Sequence, residues 1–196
     1  MMKPTILILL FFLVTGSQVI AQEKTFKKVY VNHTEFGGLF GRIKYGGTSN
    51  WDSEVVENKL SLTMQMFNGV QLSNRLSAGA TVAVDWYKTA LINPIAAGAR
   101  YDLVVDKSAR LYATVDAGYG FAWLHDDLTG YETKGGLMLN PGFGMKYGKP
   151  GKAAFTIALT YKRQEVNVSK PAFSDQTERF EERVYNRMAL RLGMSF

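Results

Sequence analysis

The sequence predicts an all-β chain: an eight-stranded antiparallel up-and-down transmembrane β-barrel with a filled polar lumen. Three observations predict it. Segments of about ten or more residues alternate in polarity along most of the chain, punctuated by clusters of Gly, Pro, Asn, Asp and Lys. The apolar side of these segments gathers aromatic residues near strand ends, as a belt spanning two water–lipid boundaries would. The opposite side carries charges of both signs among glycines, the composition of a narrow interior that side chains must fill.

The last stretch, Tyr185–Phe196, shows the pattern in its simplest form. At a two-residue period Met188, Leu190, Leu192, Met194 and Phe196 share one face, and Tyr185, Arg187, Ala189, Arg191, Gly193 and Ser195 share the other. In a soluble sandwich the greasy face would be the core. In a membrane barrel it faces lipid, and the charged face lines the lumen.

The N-terminal stretch Met1–Ala21 has one charge, Lys3, then the apolar run Ile6–Val14 and the exit Val19-Ile20-Ala21. It reads as a secretory signal peptide cleaved after Ala21. The apolar run is shorter than the roughly 20 residues a membrane helix needs. With no cysteine in the chain, a lipoprotein signal is excluded, as are disulfides and thiol chemistry.

Removing residues 1–21 takes away one of 23 basic residues and none of the 17 acidic ones, leaving a net charge of +5. The basic residues are not clustered on one segment, so no nucleic-acid partner is expected. The mature chain divides into a polar periplasmic lead-in, 22–34, and one barrel domain, 35–196.

The strands follow in order. Strand 1, 35–46, places Leu39, Ile43 and Tyr45 on one side and Phe36, Phe40, Arg42 and Lys44 on the other, with a Gly37-Gly38 pair that blurs the parity. A loop, 47–58, carries Trp51, Asp52, Glu54 and Glu57. Strand 2, 59–72, opposes Leu60, Leu62, Met64, Met66, Val70 and Leu72 to Ser61, Thr63, Gln65, Phe67 and Gln71. A turn at Ser73-Asn74-Arg75 leads to strand 3, 76–86, the clearest alternation in the chain.

A short loop, 88–93, precedes strand 4, 94–103. A turn at Asp106-Lys107-Ser108 opens strand 5, 109–123, which opposes Leu111, Val115, Tyr119, Phe121 and Trp123 to Tyr112, Thr114, Asp116, Gly118 and Gly120. The polar loop 124–134 leads to strand 6, 135–147, where Pro141 requires an irregularity and is assigned to a bulge. The turn Gly148-Lys149-Pro150-Gly151 leads to strand 7, 152–168. The longest loop, 169–182, joins it to the closing strand 8, 185–196.

Short turns at Ser73, Asp106 and Gly148 alternate with long links after strands 1, 5 and 7. That is the connection pattern of a barrel whose two chain ends face the periplasm. The aromatic girdle comprises Tyr45, Trp86, Phe121, Trp123 and Tyr161 at the outer rim and Tyr101, Tyr147, Phe155 and Phe196 at the inner rim. The lumen network comprises Arg42, Lys44, Arg100, Lys146, Lys162, Arg187 and Arg191, answered by Asp85, Asp102 and Asp116. Charges buried in so narrow a space must pair, and Asp116 with Arg187 or Arg191 is the pairing expected.

Four segments carry a family resemblance: N-G-V-Q-L-S-N-R-L-S-A-G (68–79), D-A-G-Y-G-F-A-W (116–123), G-G-L-M-L-N-P-G-F-G-M-K-Y (135–147) and the closing Y-N-R-M-A-L-R-L-G-M-S-F. With them the chain resembles the small outer-membrane β-barrel family of Bacteroidetes-type bacteria, akin in architecture to the OmpX and OmpA barrels. The resemblance implies an outer-membrane location. It also implies that Phe196, ending an alternating strand, resembles the signal read by the barrel-insertion machinery. It is nearly silent on activity.

Outer-membrane barrels of this size include enzymes acting on lipid A, so the histidines matter. His125 opens an H-D-D run with no serine nearby in sequence, and His33 lies in the lead-in without triad-like neighbours. Both are read as ordinary solvated residues, and no catalytic residue, metal or cofactor is assigned. The loop acids Asp52, Glu54, Asp126, Asp127 and Glu132 have the chemistry to share divalent cations with lipopolysaccharide phosphates, although a solvated loop is the simpler reading. Trp51 is either a contact for an external partner or a rim anchor.

The function expected is therefore non-enzymatic: a structural or surface-interaction role through loops 47–58, 124–134 and 169–182, with outer-membrane lipids and lipopolysaccharide as surroundings. The alternatives are a lipid A-modifying acyl hydrolase or transferase using His125, and a soluble lipocalin-like carrier whose apolar parity would face inward.

Overall fold

The computed structural model describes residues 29–45, 55–87, 90–106, 108–125, 132–149, 152–170 and 179–196. The signal segment, 22–28 of the lead-in, Trp51, Asp52, Glu54, Asp126 and Asp127 lie outside the described residues. The strands are β1 (Tyr30–Tyr45), β2 (Val55–Gln71), β3 (Leu76–Tyr87), β4 (Ala90–Val105), β5 (Ala109–Phe121), β6 (Glu132–Lys134), β7 (Gly136–Tyr147), β8 (Ala154–Lys170) and β9 (Arg179–Ser195). β6 and β7 are two pieces of one stave interrupted at Gly135, so nine segments make an eight-stranded barrel. A side chain at Gly135 would collide with the Gly120 carbonyl, which explains why the break falls on a glycine. Across the break the partner register on β8 moves by one residue, from Lys134↔Asn167 to Met138↔Gln164.

All pairings are antiparallel, and the sheet closes when β9 pairs with β1 from His33↔Ser195 to Phe40↔Met188. The seam continues past the strand end: Asn32 N donates to Phe196 O at 3.0 Å, and Phe196 N donates to Asn32 O at 2.9 Å. Over the paired stretch closure leaves no free sheet edge, which is the condition for placing strands in lipid. The start of β1 and Phe196 lie at the same end as the short turns. Gln71 N donates to Val29 O at 2.9 Å, Leu72 N to Leu76 O at 2.7 Å and Asp106 N to Ala109 O at 3.0 Å, all at this turn end.

The two faces have opposite chemistry. Leu60, Met64, Val82, Val115, Leu159, Leu190 and Leu192 are exposed on the outer wall, while Thr63, Gln65, Thr81, Asp85, Asp116, Asn140 and Lys162 are buried inside. A soluble ligand carrier needs the reverse, so the lipocalin-like alternative is overturned. On β8 the outward apolar run Phe155, Ile157, Leu159, Tyr161 gives way to Arg163, Glu165 and Asn167. The 17-residue β2, β8 and β9 exceed the roughly 9–11 residues a tilted membrane strand needs. Their loop-end halves therefore stand beyond the apolar belt.

Four expectations are corrected. β1 starts at Tyr30, so 30–34 of the lead-in are strand, and its parity is reversed. Leu39 is buried in the lumen, while Phe36 and Phe40 face outward. Large apolar residues occupy both parities here, and the decision falls to Glu35, a carboxylate that belongs in the lumen beside a cation and not in lipid. Second, strand pairing runs into the expected loops: Val55–Asn58, Ala90–Asn93, Glu132–Lys134, Ser169–Lys170 and Arg179–Glu182 all lie in strands. A backbone ladder needs no apolar side chain once it leaves the belt. At the end of β5 the reverse holds, with Ala122–His125 forming a turn in which His125 N donates to Ala122 O at 3.1 Å.

Third, Pro141 is not at a bulge. β7 keeps one register with β8 on both sides of it, from Leu139↔Arg163 to Gly142↔Thr160, and the ladder simply lacks its rungs at Asn140 and Pro141. A missing rung without a shift is what the absent proline N–H produces. The true irregularity lies between Asp102 and Val104, where Leu103 has no partner on β5. The fourth correction concerns Asp116 and belongs to the lumen.

Candidate functional site: the filled lumen

Each lumen side chain owes its position to strand parity, and the eight residues Asp85, Arg100, Asp102, Asp116, Lys146, Lys162, Arg187 and Arg191 all point inward. They are arranged in layers along the barrel axis. Nearest the turn end, Asp102 meets Lys146 Nζ at 2.8 Å and Arg110 Nη1 at 3.7 Å. Above it, Glu35 accepts from Arg191 Nε at 3.2 Å and from the Tyr112 hydroxyl at 3.2 Å.

Asp116 is the hub of the middle layer and is fully buried. It accepts from Arg100 Nη1 at 2.8 Å, Thr81 Oγ1 at 2.7 Å, Asn140 Nδ2 at 3.1 Å and Gln65 Nε2 at 3.3 Å. The expected partners Arg187 and Arg191 are not its partners. Arg100 stands on β4, the strand beside Asp116, and its pair register with β5 brings Gly98 opposite Asp116. Gly98 leaves the carboxylate room, since a Cβ there would stand 2.6 Å from Asp116 Oδ1 and 2.7 Å from Thr81 Oγ1. Arg191 is taken by Glu35, a partner concealed by the misread parity of β1.

Further toward the loop end, Asp85 meets Lys162 Nζ at 2.5 Å and accepts from Thr63 Oγ1 at 2.7 Å. Toward the loop end the lumen also holds an apolar cluster: Leu39, Tyr87, Ile92, Val166, Val168, Tyr185 and Ala189 pack together, with Tyr87 stacked on Tyr185 at 4.4 Å. Sequence parity contained this cluster, since Val166 and Val168 share a face with Lys162 and Gln164. The signal was hidden because apolar residues were assigned to the lipid side.

Aromatic side chains also enter the lumen. Phe67 lies under the Arg100 guanidinium at 4.3 Å, and His33 meets Phe67 and Tyr112 edge-on at 5.8 and 5.5 Å. Tyr112 occupies space that a side chain at Gly144 would take. His33 is therefore a buried lumen residue of β1 and not part of a solvated lead-in. Its cross-strand neighbour is Ser195, yet no hydrogen bond joins the imidazole to a hydroxyl, and both ring nitrogens lack hydrogen-bond partners. His125 sits at the rim, where its Nδ1 accepts from Leu91 N at 3.3 Å.

Of the expected girdle, Trp86, Tyr101, Trp123, Tyr147, Phe155, Tyr161 and Phe196 are exposed on the outer wall. Phe121 is half-buried, stacked on Trp123 at 4.1 Å. The side chain of Tyr45 lies outside the described residues. Tyr30, exposed at the turn end, joins the inner ring, with its hydroxyl donating to Asn68 Oδ1. Among the loop acids, Glu132 lies on β6 and pairs with Lys134 at 3.3 Å. Among the described residues no group of His, Asp and Glu is arranged to hold a metal ion.

No family model matches the chain, and no curated protein matches it. Among solved structures it is similar to the N-terminal β-barrel domain of Pseudomonas aeruginosa OprF, with 11% identity over 85% of this chain and 96% of that one and a TM-score of 0.45. It is similar also to the outer-membrane protein AlkL, with 13% identity, 90% and 93% coverage and a TM-score of 0.48. The third is Pseudomonas aeruginosa OprG, with 11% identity, 86% and 94% coverage and a TM-score of 0.48. At such low identity and overlap the likeness carries nothing about ligand or activity, and the Bacteroidetes-type resemblance rests on the sequence segments alone.

Proposed function

We propose that the chain is a non-enzymatic outer-membrane β-barrel protein with a structural or surface-interaction role, carried by extracellular segments in 47–58, 124–134 and 169–182. The observation that supports it is the inverted polarity of the wall: an apolar outer belt rimmed by Trp86, Trp123, Tyr147 and Phe196 around a lumen of paired charges. Water on that belt would leave large apolar residues exposed around the whole circumference, whereas lipid removes the cost. On this reading outer-membrane lipids and lipopolysaccharide surround the belt, the export signal is 1–21, and the insertion machinery reads Phe196. The ion-paired layers and the apolar cluster above them support a plugged barrel and not a pore.

The enzymatic alternative, a lipid A acyl hydrolase or transferase, gains no support from the geometry of His125, whose Nδ1 is engaged with the β4 backbone.

The test is fractionation of cells expressing the full chain, followed by gel mobility with and without boiling. The reading expects the protein in the outer membrane with Gln22 first and a mobility that changes on heating. A heat-indifferent protein free in the periplasm contradicts it.

A further inference from the structure

We infer that the lumen holds a small monovalent anion, of the halide class, on the guanidinium of Arg187. Among the described residues four lumen carboxylates are each matched by a cation: Asp116 by Arg100 at 2.8 Å, Asp85 by Lys162 at 2.5 Å, Glu35 by Arg191 at 3.2 Å and Asp102 by Lys146 at 2.8 Å. Arg187 is matched by none of them. It is 3% exposed, and its Nε and Nη1 are buried without a hydrogen-bond partner. No carboxylate among the described residues lies within ion-pair distance of it.

The nearest cations are already compensated: Lys162, directly opposite Arg187 in the β8–β9 register, holds Asp85, and Arg191, two inward positions along β9, holds Glu35, so neither carboxylate is left for Arg187. A buried, uncompensated cation is costly even after relaxation. Water can satisfy the two N–H groups but cannot cancel the charge, and an anion does both. A second donor is at hand: the Tyr185 ring lies 5.9 Å from the guanidinium carbon, and Tyr87, stacked on that ring, has a buried hydroxyl without a partner.

The same surroundings select the class. Among the described residues the apolar cluster on the loop side supplies no further polar groups for the oxygens of sulfate or phosphate, so a compact, weakly hydrated anion is favoured. Gly41, opposite on β1, is required for the arrangement, because a Cβ there would stand 2.5 Å from Arg187 Nη1.

The experiment uses the refolded mature barrel in detergent, crystallised in sodium bromide, with bromide as the anomalous probe. An anomalous peak at hydrogen-bonding distance of Arg187 Nε or Nη1 is expected. In R187Q, shown to be folded by its unheated gel mobility, that peak disappears. In parallel, replacing sulfate by chloride at constant ionic strength raises the thermal midpoint of the wild type and not of R187Q. If R187Q does not fold, the wild-type crystal and the wild-type anion titration decide. No bromide at Arg187, or a carboxylate of the chain itself seated on the guanidinium, overturns the proposal.

Discussion

Arg191 Nε donates to Glu35 Oε2 at 3.2 Å, and this one bond ties the last strand to the first inside the closed barrel. Both side chains are buried, at 1% and 5% exposure, so each charge depends on the other. Replacing Glu35 by Ala strands the guanidinium and is expected to destabilise the fold by about 3–5 kcal/mol. The midpoint of the heat-induced mobility change measures it. The double variant E35A/R191M, which removes both charges, is expected to recover part of the loss.

Asp116 sets the middle layer. Four donors converge on it, two on each oxygen. Asp116→Leu leaves Arg100, Thr81, Asn140 and Gln65 facing an apolar group and is expected to cost more than 3 kcal/mol. Asp116→Asn keeps the shape and some acceptors, and should fall between that variant and the wild type in a denaturant titration.

These two residues also mark how far the sequence could be read. Strand parity was legible wherever one face was consistently apolar, as in β3 and β9; the side chains of Arg42 and Lys44, expected in the lumen, lie outside the described residues. It failed at β1, where Phe36 and Phe40 compete with Leu39 and a glycine pair erases the pattern, and with β1 the role of Glu35 was lost. Partner choice was not legible at all, because it depends on register. Arg100 reaches Asp116 from the adjoining strand, and nothing along the chain ranks it above Arg187. The strands outrun the boundaries that polarity predicts for a physical reason as well. The outward apolar face ends where the belt ends, and beyond it on β8 the apolar side chains Val166 and Val168 turn inward, whereas hydrogen-bonded pairing continues to Lys170↔Arg179.

Phe196 allows folding and the proposed targeting role to be tested apart. Its main-chain N–H and C=O pair with Asn32 whatever its side chain is. Phe196→Ser is therefore expected to refold in detergent with a midpoint near that of the wild type. If the insertion machinery reads the ring, the same variant accumulates several-fold less in the outer membrane. Equal loss in both assays would make the ring a structural residue only.

The lumen cap contributes through packing. Tyr87 and Tyr185 are stacked inside an apolar cluster, and Tyr87→Ala would leave a cavity there. A loss of about 3–5 kcal/mol is expected from thermal or denaturant unfolding, as for other large-to-small changes in a core. Trp123→Ala, on the exposed outer rim, is expected to cost much less.

If the apolar belt meets lipid, a position-by-position charge scan reads the energetics of that contact. Leu159→Arg and Leu190→Arg sit mid-belt, at 51% and 45% exposure. On a water-facing surface such changes stay within about 0.5 kcal/mol. In a bilayer they are expected to cost about 2–4 kcal/mol. Asn167→Arg, beyond the belt on β8, should be close to neutral in bilayers.

The most direct measurement uses the absence of native cysteine. Single cysteines are placed at Leu159, Leu190 and Met64 on the outer wall and at Asn167 beyond the belt, labelled with a fluorophore, and refolded into vesicles containing brominated lipids. Strong quenching at the first three positions and little at Asn167 is the predicted result. Labels at Leu159, Leu190 and Met64 that lipid bromines leave unquenched and a water-soluble quencher reaches freely would contradict the account.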